Sequence, residues 1–230
     1  MRNAKLWESL TKLKSTGLNV PTIVDVGIQH ATPVLMKIFQ EQHHVLFEPV
    51  QEYYEHIKNN YSGISFTLVE AAVSDRNGEL LLHTEKKTRG DEISHSYIVG
   101  SATSSSRSIQ SVSLDHYFSS NQYATPYLLK IDVEGPDVPS LIIRGAANVL
   151  KNTAVVIIEM TVDKLMERAI LLHEAGFDVW DICDLCYYSD CLWQADFVFI
   201  NRSLKQSNIA LRPMHDRPFN PKLWQKGFDQ

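Results

Sequence analysis

Cysteine is nearly missing from this chain of 230 residues, which carries three. An odd, sparse set gives no disulfide framework. Cys183 and Cys186 form a C-x-x-C, with Cys191 five residues on. A structural zinc site needs four ligands at recognisable spacing. No second pair exists, so the expectation is no metal and buried thiols near the last strands. Long apolar runs are missing too: none approaches the roughly 20 residues of a membrane-spanning helix. Met1–Trp7 lacks the apolar core of a secretion signal, which makes a reducing cytoplasm the default expectation. No H-E-x-x-H and no G-x-S-x-G occurs, which disfavours zinc peptidases and serine hydrolases. Glycine-rich nucleotide loops are absent as well. The turn Asp25-Val26-Gly27-Ile28-Gln29-His30-Ala31-Thr32 has one glycine where the nicotinamide fingerprint needs three. Positive charge is not in excess. The net charge of −5 argues against non-specific nucleic-acid binding.

What is present is an ordinary globular composition, 44% apolar and 21% charged, in a length that suits one α/β domain without staples. Three apolar runs each stop on acidic residues: Thr22–Gly27, Val45–Pro49 and Tyr127–Gly135. All three read as strands of one parallel sheet. Ligands of open α/β sheets bind beyond the carboxyl ends of the strands. A row of carboxylates there suits a cofactor bearing hydroxyls or positive charge better than one bearing phosphates. That contrast points toward S-adenosylmethionine (SAM).

Helical periodicity predicts an amphipathic helix over 3–15 through Leu6, Leu10 and Leu13, within an N-terminal extension of residues 1–20. Thr32-Pro33 reads as N-cap and first residue of a helix with Val34, Leu35, Ile38 and Phe39 inward. A helix is expected from Pro49 to about Asn60, and a strand from Ile64 to Val73. Ser74-Asp75-Arg76-Asn77-Gly78 is a turn signal, followed by a short strand Glu79–His83. Residues 84–111, with Arg89-Gly90-Asp91-Glu92 and a serine-rich stretch from Ser101 to Ser111, keep no hydrophobic period. They read as a long polar loop, a lid or acceptor-recognition element. A helix over Val138–Leu150, a strand Thr153–Glu159, a helix capped by Thr161 and ending at Gly176, and strands at Phe177–Ile182 and Phe197–Ile200 complete the domain. The last two fit an antiparallel pair. A basic tail at 202–230 carries six Lys/Arg against two Asp, with Pro213, Pro218 and Pro221. The alternation predicts a single, mostly parallel, doubly wound α/β domain over 1–230, with a C-terminal antiparallel strand.

Glu48 stands 23 residues after Asp25 at the next strand tip. A carboxylate about 20 residues past the glycine turn accepts hydrogen bonds from a ribose diol in Rossmann-type sites. The alternative is a carboxylate favoured by the following helix N-terminus. Asp132 and Glu134 share a strand face and suit orienting a sulfonium or taking a proton. Lys130 shares that face, so a surface ion-pair cluster is the competing reading. His30 is a third, weaker base candidate.

These segments stand in an order that resembles the FkbM-type methyltransferase family. They are Val24-Asp25-Val26-Gly27, Phe47-Glu48-Pro49, Ala72-Val73-Ser74-Asp75 with Gly78, Ser113-Leu114-Asp115, and Leu129-Lys130-Ile131-Asp132-Val133-Glu134-Gly135. Gly145-Ala146 and Ile157-Ile158-Glu159 extend the resemblance to roughly residues 22–200. It implies a Rossmann-like class I fold with SAM as cofactor. It also implies O-methylation of a small hydroxylated natural product or sugar. By the same resemblance, Asp25 and Gly27 approach the methionine part of SAM and Glu48 holds its ribose. Ala72 and Val73, with Asp75 beyond, lie near adenine, while Asp132 and Glu134 face methyl donor and acceptor. Nucleic-acid and membrane partners are not expected, and a homo-oligomer is compatible with the chain. The family usually reads Asp-x-Gly-Ala-Asn-x-Gly at the first strand, and here Ile28, Gln29 and Ala31 depart from it. Asp137 also replaces a usual glutamate. Those departures keep open a second class, a non-catalytic methyltransferase-like module that binds a ligand or partner.

Overall fold

A computed structural model describes residues 4–86, 93–207, 211 and 221–223. The chain runs α1 (Leu6–Ser15), β1 (Thr22–Val26), α2 (Pro33–Ile38), β2 (His43–Phe47), α3 (Tyr54–Asn60), β3 (Phe66–Val69), β4 (Ala72–Ser74), β5 (Gly78–Lys86), β6 (Ile93–Val99) and β7 (Ser106–Ser113). It continues through α4 (Leu114–Ser120), β8 (Tyr127–Ile131), α5 (Val138–Arg144), α6 (Ala147–Lys151), β9 (Thr153–Thr161), α7 (Leu165–Glu174), β10 (Phe177–Tyr188), β11 (Cys191–Asn201) and α8 (Arg202–Ser207).

A seven-stranded sheet has the order β10-β11-β9-β8-β1-β2-β3. Its members from β9 to β3 are parallel, and β11 inserts antiparallel between β9 and β10. β1 is buried throughout, so its run Thr22–Val26 is apolar on both faces apart from Thr22 and Asp25, as expected of a central parallel strand. One face of the sheet packs Ile23, Leu128, Ile157 and Val198 against α1 (Leu6, Leu10, Leu13) and α2 (Leu35, Ile38). The other packs Val24, Leu129, Ile158, Phe197 and Phe199 against residues of the later helices, including Leu114, Ile142, Val149 and Leu172. The doubly wound architecture and the antiparallel C-terminal strand thus match the expectation. Among the described residues no helix is long and apolar enough to cross a membrane.

Four expectations are corrected. The single strand over Ile64–Val73 is two strands in different sheets, β3 beside β2 and β4 beside β7. The Ala71 N–H bonds the Val69 carbonyl at 2.9 Å, making a sharp reversal that no glycine or proline announces. The stretch 84–111 was expected to be a polar loop, and its described residues are mostly strand. β5 continues to Lys86, and β6 and β7 join it in a second sheet of order β4-β7-β5-β6. Its ladder is made by the backbone, and among its described residues only Leu82, Ile93, Ile98 and Ile109 turn toward the α3 cluster, so the apolar signal is thin. Arg89-Gly90-Asp91-Glu92 lie outside the described residues, as do Pro213 and Pro218. The helix over 138–150 breaks at Gly145, where a Cβ would stand 2.4 Å from the Ser74 carbonyl oxygen. Thr161 belongs to β9 and caps no helix, because α7 begins four residues later.

Candidate active site

The tips of β8, β1 and β2 are held level by bonds that continue the ladder past the strands. Asp132 N–H donates to the Val26 carbonyl at 3.0 Å and Gly27 N–H to the Phe47 carbonyl at 3.1 Å. Above them opens a cavity of about 630 Å³, within the roughly 300–1,000 Å³ of small-molecule sites. One wall comes from the strand tips: Gly27–Gln29, Glu48, Ala71–Val73 and Asp132–Glu134. Leu82 of β5 and Ser96–Ile98 of β6 add a flank, so the segment read as a lid is a strand-built side of the cavity. The rest of the lining includes Lys5, Leu6–Glu8 of α1, and Asp184 and Asp196 on the β10–β11 hairpin.

Gly27 sits at φ +83°, and a Cβ there would lie 2.0 Å from the Asp132 carbonyl oxygen. Its glycine is required by the neighbouring strand tip, whatever binds above. Gln29 holds φ +53°, a left-handed conformation uncommon for such a side chain. Its N–H donates to Glu48 Oε2 at 2.8 Å, while Val50 N–H donates to Glu48 Oε1 at 2.8 Å. Glu48 therefore ties the loop after β1 to the loop after β2. It is buried, and burial pushes its carboxyl up to about 7 against the lowering pull of those two N–H groups.

Asp25 does not reach the cavity lining. It is fully buried beneath the turn, and Lys130 Nζ stands 4.0 Å away. Burial raises its pKa, which Lys130 opposes. Asp25, expected to approach the methionine part of SAM, lies under the turn and outside the cavity lining. His30 also stands outside the lining, its ring edge-on to Tyr53 at 4.4 Å and His56 at 5.0 Å. Asp75 is exposed at the end of β4, accepting from the Ser74 hydroxyl at 3.1 Å. Asp132 lines the cavity but is bound to Lys130 Nζ at 2.5 Å. Glu134 lines it from an exposed position. The Arg168 guanidinium braces this tip, donating to the carbonyls of Pro136 at 2.9 Å and Glu159 at 3.2 Å.

Lys130 belongs to a larger array. Asp25 pairs in register with Lys130, and Glu159 with Asp196. Each continues the face that carries Ile23, Leu128, Ile157 and Val198, since side chains alternate along a strand. Four neighbouring strands thus carry Asp25, Lys130, Glu159 and Asp196 in a charged row at the carboxyl edge of the sheet. Burial alone would lower Lys130, but Asp25 and Asp132 outweigh it and hold the ammonium above its ordinary value. Glu159 is pushed up to about 7 by burial, then by Asp132 and Asp196. Burial pushes Asp196 up to about 6, tempered by Lys130.

Asp184 and Asp196 escaped the sequence reading. The only signal was an acid in an otherwise apolar strand, Ala195-Asp196-Phe197-Val198, which the predicted strand omitted by starting at Phe197. Asp184 accepts the Leu6 N–H at 2.9 Å and pairs with Lys5 at 3.0 Å, a contact across 178 residues that no local pattern announces. Of the three thiols only Cys183 is buried, Cys186 and Cys191 being exposed where the hairpin projects. Among the described residues no group of acids, histidines or cysteines is arranged to hold a metal ion.

A family model described as Methyltransferase FkbM domain matches residues 24–179. No curated protein sequence matches the chain. Solved structures of similar outline include precorrin-6y C5,15-methyltransferase from Geobacter metallireducens GS-15, at 12% identity, covering 87% of this chain and 92% of that one, with a TM-score of 0.47. An rRNA methylase from Streptococcus thermophilus has 10% identity, coverages of 84% and 94%, and a TM-score of 0.48. Aeropyrum pernix fibrillarin in complex with natively bound SAM has 11% identity, coverages of 83% and 76%, and a TM-score of 0.47. At these scores the likenesses decide neither acceptor nor mechanism.

Proposed function

The chain belongs to the FkbM methyltransferase family, and from that premise we propose that it methylates a hydroxyl of a small polar acceptor, a sugar or another hydroxylated natural product. SAM is the expected cofactor. The donor set fits it. Each Glu48 oxygen accepts one backbone N–H and keeps lone pairs free on the cavity side, as a ribose diol requires. The cations of the described lining, Lys5 and Lys130, are both engaged by carboxylates, which leaves no centre for a phosphate.

The observation that carries the reading is that the strand tips and a second acidic set, Asp184 and Asp196, line one cavity. Bound there, SAM supplies a methyl group made electrophilic by its sulfonium. The residues of the chain do the rest. Glu48 and the Gly27–Ala31 turn hold and orient, and Ala72 and Val73 offer an apolar flank. The acidic wall accepts hydrogen bonds from hydroxyls and repels anions, which disfavours a polyphosphate such as nucleic acid. Most of the acceleration would come from alignment of acceptor and methyl group.

A non-catalytic ligand- or partner-binding module is the second reading. It draws on Gln29, which takes a left-handed φ of +53° in the turn where the family pattern has asparagine, the residue that tolerates it better. Calorimetric titration with SAM and with S-adenosylhomocysteine separates the two. Micromolar binding of both, with a methyl mass gain on hydroxylated acceptors in a mass-spectrometric screen, supports the enzyme. Absence of both signals supports the module.

A further inference from the structure

The cavity holds six carboxylates, and their partners separate them. Glu48 is engaged by two backbone N–H groups, Asp132 by Lys130, and Asp184 by Leu6 N–H and Lys5. Glu8 lies on α1 at the rim with an interaction of its own, and Glu134 is exposed to solvent. Asp196 differs. It lines the cavity from the acceptor wall, is partly withdrawn from water, and no hydrogen bond engages its carboxylate among the described residues. Its cross-strand neighbour Glu159 is occupied instead, accepting from Gln194 Nε2 at 2.6 Å.

A general base needs a free lone pair, access to the acceptor, and partial desolvation to strengthen it. We infer that Asp196 is the catalytic base, taking the proton of an acceptor hydroxyl seated between α1 and the β10–β11 hairpin. This rests on the methyltransferase reading above. In the step, the acceptor O–H bond breaks and its proton passes to an Asp196 oxygen. The freed pair forms the O–C bond while the C–S bond breaks and its electrons return to sulfur. Asp196 then releases its proton to solvent. Asp132 and Glu134, expected from sequence to be the leading bases, become the Lys130 partner and a rim residue.

The charged groups around Asp196 are Lys130 and Asp132 from the β8 tip, Glu159 from β9, Asp184 from β10, and Lys5 from α1 through Asp184. Their balance leaves the carboxyl at about 6. A raised acid stabilises the fold below its unfolded value and loses that contribution as pH climbs through the folded one.

The test compares wild type with Asp196→Asn, using SAM with methyl α-glucoside and glycerol as probe acceptors. The variant is expected to bind SAM with unchanged affinity and to turn over 100- to 10,000-fold more slowly. The rising limb of the wild-type rate near pH 6 should vanish. Without any ligand, the variant should melt at higher temperature than wild type at pH 8 and at the same temperature at pH 4. Turnover within tenfold of wild type, persistence of the limb, or loss of SAM binding overturns the base assignment alone. Failure of the wild type to bind SAM overturns the methyltransferase reading and the base with it. If neither probe is methylated although SAM binds, the ligand-free melt decides. A gain confined to high pH supports a free, desolvated Asp196, and no gain overturns it.

Discussion

The two walls of the cavity carry similar charge and treat it in opposite ways. On the strand-tip wall, Glu48 is fastened on both oxygens by backbone N–H groups and Asp132 is paired with Lys130. Those carboxylates are structural struts before any ligand arrives. On the wall built by α1 and the terminal hairpin, Asp184 is a strut but Asp196 is left open. A carboxylate that already holds partners gives shape, and one that holds none has the most capacity to gain a partner during a reaction. The lesson is that the acid nearest a family motif is not thereby the acid with chemistry left to do.

The contrast breaks most severely at Gly27. Gly27→Ala would force a Cβ within 2.0 Å of the Asp132 carbonyl oxygen at φ +83°. Left-handed strain of about 1–2 kcal/mol and overpacking of about 1–3 kcal/mol add to a loss of roughly 2–5 kcal/mol, measurable by denaturant unfolding. A fully stable Gly27→Ala would mean that the strand tips are not locked as described.

Glu48→Ala comes next. Were Glu48 only a ligand residue, its loss would leave the fold intact. Here it orphans the buried Val50 N–H, so stability should fall by about 1–3 kcal/mol alongside SAM affinity. Glu48→Gln gives a finer reading. With the wild-type carboxyl at about 7, SAM affinity should rise by a few-fold between pH 6 and pH 8. Gln, which cannot ionise, should flatten that dependence, read by calorimetry at both pH values.

Asp132→Asn sharpens the division of labour. Asp132 is partly exposed and its Oδ2 is held by Lys130, so turnover should stay within about tenfold, or 1.4 kcal/mol. A larger fall, with Asp196→Asn active, would return the base to the strand-tip wall. The smallest change is Ala31→Gly, at the cavity lining. It should leave SAM affinity unharmed or slightly tighter, with a stability change below about 1 kcal/mol. A clear loss of affinity would mark the methyl group of Ala31 as part of the cofactor surface.

The half of this molecule that was legible from sequence is the half governed by local pattern. Buried parallel strands announce themselves as unbroken apolar runs, and their acidic ends located Glu48, Asp132 and Glu134 on the cavity. α1 was legible through the spacing of Leu6, Leu10 and Leu13. The second sheet was not, because β6 and β7 draw their cohesion from backbone ladders with few apolar contacts. The burial of Asp25 was not legible, because burial depends on what lies over a strand tip, which the strand cannot encode. Asp184 and Asp196 were hidden for a different reason. Their significance comes from elements brought together from opposite ends of the chain.

That origin has a consequence for how the protein is made. β11 is the last strand among the described residues, yet it lies inside the sheet, with β9 on one side and β10 on the other. Until Cys191–Asn201 has been synthesised and inserted, the edge of β9 stays open, and residues 155–158, Val-Val-Ile-Ile, are all apolar and all buried in the finished fold. An unpaired edge of that composition is a template for pairing with other chains. A nascent or truncated chain that stops short of β11 is therefore an aggregation hazard, and the strand that brings Asp196 to the cavity is also the one that covers the apolar edge of β9.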